Sequence, residues 1–407
     1  MNWKIIRWID IYAGILLVYL FFSLKRLFGS RRKFRTIRDY KRILFIKFWG
    51  LGNVIMLLPA VYALKDKYPD AEFDFLTLVS NKDVAKAAPL FDNIYTIDNK
   101  STGKFIFTFF KAFRILKGRD YDFIIDFEQF ARFSAIFCSL IRKRNIIAFN
   151  TRRQHRHFLY TNSVIYNNNI HMAKSFYSLA EIAGAAHKDC IKPVPVVCKQ
   201  GDIFEIENML SNWGVSRADI LIVMHAGTSE NFGLRRWPAE YFGDLADRLI
   251  DDFGVKIIFT GLLDESIVSE KAIDCMKNKE KAINASGKLN FNEFVSLIKL
   301  SDLVISADTA PIHLASCLSV PVVGLYGPNT PLLYGPWGYN SIWFYKNFDC
   351  SPCITNYNAK INNCRHPRGK GACMKEISVD EVFSGIKNNY FDKDAKFRLK
   401  KLRQFKD

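Results

Sequence analysis

In the segment Ser306–Ser316, SADTAPIHLAS, an apolar run ends in Asp308 and Thr309, and Pro311 stands at the first position of an expected helix. Proline suits that position, because its missing N–H would find no partner there in any case. His313 then falls in the first turn. The N–H groups and positive dipole end of a helix start favour an anion such as a pyrophosphate. The pattern predicts a diphosphate cradle. The amides of Thr309 and Ala310 and the His313 ring would hold the phosphates, with Asp308 beside them. A second turn, His225–Pro238 (HAGTSENFGLRRWP), also follows an apolar run. Gly227, Thr228 and Ser229 are small enough to let backbone N–H groups and hydroxyls approach an anion. Arg235 is the candidate phosphate partner, and Arg236 reads as an ordinary helix-flanking charge. Glu265, just after FTGLL-Asp264, is a further candidate contact.

Several familiar nucleotide signatures are absent from the sequence. It holds no G-x-x-x-x-G-K-[ST], and Gly50-Leu51-Gly52 lacks the third glycine of a dinucleotide fingerprint. Asp120-Tyr121-Asp122 is formally a D-x-D pair, but it runs directly into a strand and reads as a solvated turn. A site without a metal cofactor for catalysis is therefore expected, with helix dipole and arginine in place of a cation.

The elements that would carry these turns alternate regularly. RILFIKFW (Arg42–Trp49), AEFDFLTLV (Ala71–Val79) and YDFIIDFE (Tyr121–Glu128) read as strands, separated by helical runs such as Val54–Tyr68 and Lys104–Lys117. The same grammar restarts after Pro193-Val194-Pro195, with strands at Ile220–Ser229, Val255–Gly261, Leu303–Ser306 and Val320–Pro328. Strand–helix alternation of this kind implies parallel sheets covered on both faces. Two Rossmann-like halves imply a cleft at the carboxyl ends of the strands, where ligands bind in such folds. The expected divisions are 1–38, 39–195, 196–345 and 346–407.

The chain has 407 residues, with 58 Lys plus Arg against 40 Asp plus Glu, a formal net charge of +18. That surplus points to an anionic partner. Nucleic acid is not the expected one, since the basic residues gather around apolar segments and not around an exposed aromatic platform. Ile11–Leu24 is an unbroken run of apolar or near-apolar residues, flanked by Lys4 and Arg7 and by Lys25, Arg26, Arg31, Arg32, Lys33 and Arg35. A helix over this run spans roughly 21 Å, short of the roughly 30 Å hydrocarbon core. Extending it backwards takes in Asp10, which is costly in lipid. The favoured expectation is a helix that dips into or lies on the cytoplasmic leaflet of the inner membrane. A single span and a helix packed on the protein itself are the alternatives.

With these motifs in place, the chain resembles glycosyltransferase family 9, the heptosyltransferase-like enzymes of lipopolysaccharide and related glycan assembly. The resemblance covers roughly residues 42–340 and rests on ILFIKFWGLGNVIMLLPAVYALKDKYPDAEFDFLT, HAGTS…RRWPAEYF and SADTAPIHLASCLSVPVVGLYGP. It implies a GT-B fold, two Rossmann-like doubly wound domains facing across a cleft, and inverting transfer from a nucleotide sugar such as ADP-heptose. The N-terminal helix and IDFEQFARFSA (Ile125–Ala135) are similar to a membrane-associated subgroup. The acceptor expected is a lipid-linked or phosphorylated glycan, and on the donor Asp308 would hold the sugar hydroxyls and Glu265 would contact the nucleoside.

Inverting transfer needs a group that takes the proton of the acceptor hydroxyl, which a carboxylate does and an amide does not near neutral pH. The family has Asp where this chain has Asn53. Asn53 could still cap the helix and orient a hydroxyl. Glu128, at the carboxyl end of its strand with Asp126 two residues before, is the candidate general base. His171 and an inactive protein are the alternatives. Cys350, Cys353, Cys364 and Cys373 form C-x2-C-x10-C-x8-C, with His366 beside them, a four-ligand spacing. A structural zinc or iron–sulfur site, a disulfide or redox pair, and free thiols are all open readings. A nucleotide-sugar epimerase of the same fold and a non-catalytic nucleotide-sugar binding protein stand as alternative functions.

Overall fold

The computed structural model describes residues 3–28, 40–141, 145–338, 340–358, 364–397 and 399. The basic residues Arg31, Arg32, Lys33 and Arg35, and residues 398 and 400–407 of the basic tail, lie outside the described residues. The chain folds as two compact units. The first takes the residues up to Val194 together with Thr355–Lys360, and the second begins at Pro195.

Six parallel strands form the sheet of the first unit: β1 (Arg42–Ile46), β2 (Glu72–Leu78), β3 (Asn93–Ile97), β4 (Phe123–Asp126), β5 (Asn145–Asn150) and β6 (Asn162–Ile165). Their order is β3-β2-β1-β4-β5-β6, so the sequence order of the strands reverses between β1 and β4. Ile43, Leu44, Phe45 and Ile46 are all fully buried, the near-continuous apolar run expected of a parallel strand covered on both faces. Helices α1 (Trp3–Phe28), α2 (Leu51–Lys67), α3 (Lys82–Ala87), α4 (Thr102–Gly118), α5 (Arg132–Ile141) and α6 (Met172–Ile182) surround it. Helix α1 runs well beyond the apolar stretch that announced it. Asp10, the costly residue of that stretch, accepts the backbone N–H groups of Arg132 and Phe133 at 3.1 and 2.8 Å. It thus caps the start of α5, where a carboxylate also suits the dipole.

The second unit repeats the plan with β7 (Leu221–His225), β8 (Lys256–Phe259), β9 (Ala282–Asn284), β10 (Leu303–Ala307), β11 (Val322–Tyr326) and β12 (Ser341–Tyr345), all parallel. Their order, β12-β11-β10-β7-β8-β9, reverses between β10 and β7. The helices are α7 (Gln200–Asn212), α8 (Ala239–Phe253), α9 (Ser266–Asp274), α10 (Phe291–Leu300), α11 (Ala310–Cys317), α12 (Pro331–Tyr334), α13 (Ala372–Lys375) and α14 (Val379–Ile386). Helix α8 shows why the pattern folds this way. Phe242, Leu245, Ala246, Leu249 and Ile250 repeat at helical spacing and are buried, so one stripe faces the sheet. The segment that sequence set apart from 346 packs into this unit. Met374, Ile377, Val382, Ile386 and Tyr390 join its core, and the buried Trp237 donates its indole N–H to the Ile377 carbonyl at 2.8 Å.

Candidate active site

In each sheet, the two strands at the reversal carry the functional turns, the crevice position at which open α/β sheets bind ligands. In the second unit those turns follow β7 and β10. Arg235, from the first, donates through one nitrogen to the backbone carbonyl of Asp308 at 2.8 Å and to its Oδ2 at 3.2 Å. Asn329, in the loop after β11, donates to the same Oδ2 at 2.5 Å. Asp308 is nearly fully buried, so the contact with Arg235 is a desolvated ion pair and not a surface decoration. Thr309 stands at the N-cap of α11, yet its hydroxyl turns back to Ser306 Oγ at 2.8 Å and to the Ala307 carbonyl at 3.2 Å. The first turn of α11, where Ala310 leads, thus has no side-chain cap, which suits it to an anion. Pro311 sits at the helix start as expected, and His313 is buried in the following turn.

The turn after β7 is held by the residue that sequence set aside. Arg236 donates to Thr228 Oγ1 at 3.1 Å and to the Thr228 carbonyl at 2.7 Å, stapling the loop. Thr228 is therefore buried and committed to the loop, whereas Ser229 beside it is exposed. A Cβ at Gly227 would lie within 2.8 Å of the Glu265 side chain, so only glycine admits this approach. Glu265 is buried and accepts the Leu262 N–H at 2.9 Å. Its Oε2 lies 3.7 Å from His225 Nε2, while His225 Nδ1 lies 3.2 Å from Thr260 Oγ1. His225 closes β7 and had no role in the sequence reading.

Burial holds His225 below its ordinary pKa, with Glu265 offsetting part of the shift. The folded state therefore binds this proton less readily than the unfolded chain, and stability rises with pH through the window. As pH falls below about 6.5, the second unit should lose up to about 1.4 kcal/mol per pH unit from this group. Denaturant unfolding at pH 7.5 and 5.5 checks it. His225→Asn should flatten the dependence, and an identical pH response in parent and variant would refute the assignment.

The first unit shows a parallel arrangement with a different outcome. Glu128, just past β4, is fully buried, and its oxygens are occupied. Oε1 accepts the backbone N–H groups of Phe48 and Trp49 at 2.6 and 2.8 Å, and Oε2 accepts Lys47 Nζ at 2.9 Å. Burial lowers the pKa of Lys47, and the Glu128 charge beside it works against that shift. In this structure Glu128, the expected general base, anchors the turn from β1 into α2 through these three bonds. Asp126 is likewise buried and structural, paired with Arg156 at 2.7 Å and bonded to Ser134 and Tyr160, both at 2.8 Å.

Asn53 is not the helix cap that was expected. Gly50, at a φ of 89°, is the N-cap of α2, and Asn53 lies inside the first turn. Its Nδ2 donates to the Trp49 carbonyl at 3.3 Å, and its buried Oδ1 has no hydrogen-bond partner. His171 caps α6, its Nδ1 accepting the Ala173 N–H at 3.3 Å. Asp122 of the D-x-D pair accepts the backbone N–H groups of Lys41 and Arg42 at 2.7 and 3.0 Å, fixing the entry to β1.

Cys350, Cys353, Cys364 and Cys373 do come together, around a cavity of about 180 Å³ also lined by His366. None of the four is in a disulfide, and among the described residues no three His, Cys, Asp or Glu side chains converge closely enough to hold a metal ion. Burial pushes the Cys373 thiol up to about 12 and also raises Cys353. Among the described residues the expected zinc or iron–sulfur site thus finds no support; the spacing brought the four side chains to one cavity.

Lipopolysaccharide heptosyltransferase 3 of Escherichia coli is 24% identical over 316 residues, covering 72% of this chain and 86% of that protein. The crystal structure of the glycosyl transferase family 9 protein from Veillonella parvula superposes with a TM-score of 0.73 at 21% identity, covering 86% of this chain and 97% of that one. The E. coli heptosyltransferase WaaC solved with ADP gives a TM-score of 0.63 at 17% identity, covering 85% and 99%. The two six-stranded parallel sheets are those of a GT-B fold. The family profile of glycosyltransferase family 9 (heptosyltransferase) matches residues 109–362. This stretch takes in the turns after β4, β7 and β10 described above, and the chain belongs to that family of glycosyltransferases.

Proposed function

We propose that the protein transfers a heptose-like sugar, with inversion and without a catalytic metal, from ADP-heptose or a close analogue to a lipid-linked or lipopolysaccharide-type glycan. The observation that carries this reading is the Arg235–Asp308–Asn329 cluster beside the uncapped first turn of α11. Such a site offers a fixed positive charge and oriented amides to a diphosphate, and a buried carboxylate to sugar hydroxyls. The naming of the E. coli relative as a lipopolysaccharide heptosyltransferase, and of the WaaC structure as holding ADP, supports the choice of donor and acceptor. In this assignment Thr309, Ala310, His313 and Arg235 serve the diphosphate, with Thr228 and Ser229 shaping the neighbouring loop. Glu265 serves the nucleoside. Asn53 orients the acceptor hydroxyl, its unpartnered Oδ1 accepting from it. The enzyme works on the cytoplasmic face of the inner membrane, with α1 as its membrane-associated element.

Transfer assays with ADP-heptose, reading the anomeric configuration of the product by NMR, test the proposal. Inverted product in the presence of a chelator is expected, and retained configuration or a strict metal requirement would refute it. Asn53→Asp adds a proton acceptor at the same place, so its rate should gain a rising limb in the carboxylate range of pH that the parent lacks. The same pH profile in both proteins would remove Asn53 from the acceptor site.

A further inference from the structure

Helix α5 has no exposed residue along its length, because α1 and α4 both pack against it. The α1 contact runs along one stripe. Asp10 caps α5, Gly14 fits against Arg132 where a Cβ would come to 3.1 Å, and Val18 is fully buried. Further along, Phe22 packs on Phe158, and Lys25 donates to the Leu159 carbonyl at 3.3 Å. The opposite stripe of α1, including Trp8, Tyr12, Leu16, Leu20 and Leu27, is exposed. On α4, the rings of Phe105, Phe109 and Phe113 face Phe133 and Phe137 of α5, but Ile106, Phe107, Phe110 and Ile115 are exposed. Lys104, Lys111, Arg114 and Lys117 share that exposed side, and α4 carries no acidic residue.

Aromatic and aliphatic groups set among lysine and arginine, with no carboxylate, are the composition of helices that lie in the interface of an anionic leaflet. A protein partner would more commonly meet a surface depleted in lysine. A helix crossing the bilayer would have to surround its packed stripe, Asp10 included, with lipid, at a steep cost. We propose that α4 is a second membrane-docking element, and that α1 and α4, held by α5 between them, lie flat on an anionic lipid surface without crossing it. This rests on the reading of the enzyme as membrane-associated.

The test uses the full chain and vesicles of phosphatidylcholine, with or without phosphatidylglycerol, read by co-sedimentation. Phe107→Ser/Phe110→Ser leaves the α5 contacts in place, and its thermal unfolding should match the parent. Its partitioning onto phosphatidylglycerol vesicles should fall roughly tenfold or more. Lys111→Gln/Arg114→Gln should weaken binding to those vesicles while leaving phosphatidylcholine binding unchanged. Alkaline carbonate should strip the bound parent from the vesicles. Parent-like binding by the phenylalanine variant overturns the role of α4, and resistance to carbonate overturns the flat geometry. Failure of the parent to bind any vesicle would refute the membrane reading itself, an outcome distinct from the first.

Discussion

Arg156→Met should unfold on the order of 10 °C below the parent, the largest stability loss expected from one substitution in the first unit. Arg156 is fully buried. Its guanidinium donates to Asp126 Oδ2 at 2.7 Å, to Ser134 Oγ at 3.0 Å and to the Glu128 carbonyl at 2.6 Å. Methionine fills much of the volume but leaves the Asp126 carboxylate without a counter-charge, where water does not reach it. Breaking one half of a buried pair costs about 3–5 kcal/mol, chiefly for the stranded charge. Each kcal/mol moves the midpoint of a unit this size by about 2–4 °C. Removing both charges with Asp126→Leu/Arg156→Met should therefore recover part of the loss. Calorimetry of the three proteins decides it. A double variant no more stable than the single one would mean that the bond to the Glu128 carbonyl, and not the ion pair, carries the effect.

Asp308→Ala should weaken binding of ADP-heptose by on the order of 100-fold while leaving the fold intact. Hydrogen bonds to a charged group contribute about 1.5–3 kcal/mol each, so losing one or two to the sugar amounts to about 100-fold. Here the substitution acts twice. It removes the carboxylate assigned to the sugar, and it releases Arg235 and Asn329, which both converge on Oδ2. ADP, which lacks the sugar, should lose less than ADP-heptose. Asp308→Asn should fall between, since Arg235 also holds the backbone carbonyl of this residue. Titration calorimetry with both ligands reads the difference. Equal losses for ADP and ADP-heptose would move Asp308 from the sugar to the phosphates, and no loss for either would remove it from the site.

The grammar of the fold was open to reading because parallel strands announce themselves as apolar runs followed by small-residue turns. Pro311, Asp308 and the strand before them needed no partner elsewhere in the chain to be recognised. What sequence could not separate was a carboxylate that reacts from one that braces. Glu128 stands at a strand's carboxyl end, as a base would. Only the approach of Lys47, Phe48 and Trp49, some eighty positions earlier, reveals that its oxygens are occupied. Arg236 was misread for a related reason. Its partner Thr228 is close in sequence, but a doubled arginine gives no sign of which member turns inward. Asp10 reads as a penalty in lipid until the α5 amides, 122 residues away, appear beside it. The cysteine spacing specified proximity and left side-chain direction undetermined.

The path of the chain has a further consequence. Thr355–Lys360 leaves the second unit and is counted with the first, where Asn356 and Tyr357 bond to Tyr166 and their carbonyls accept from Gln154. The halves are thus not separable cassettes. A chain ended at Val194 would lack this plug and leave Tyr166 and Gln154 to water, and exchanging the first unit between relatives requires moving two pieces of sequence at once. The integrity of the first unit is tied to residues that lie, in the linear order, inside the second.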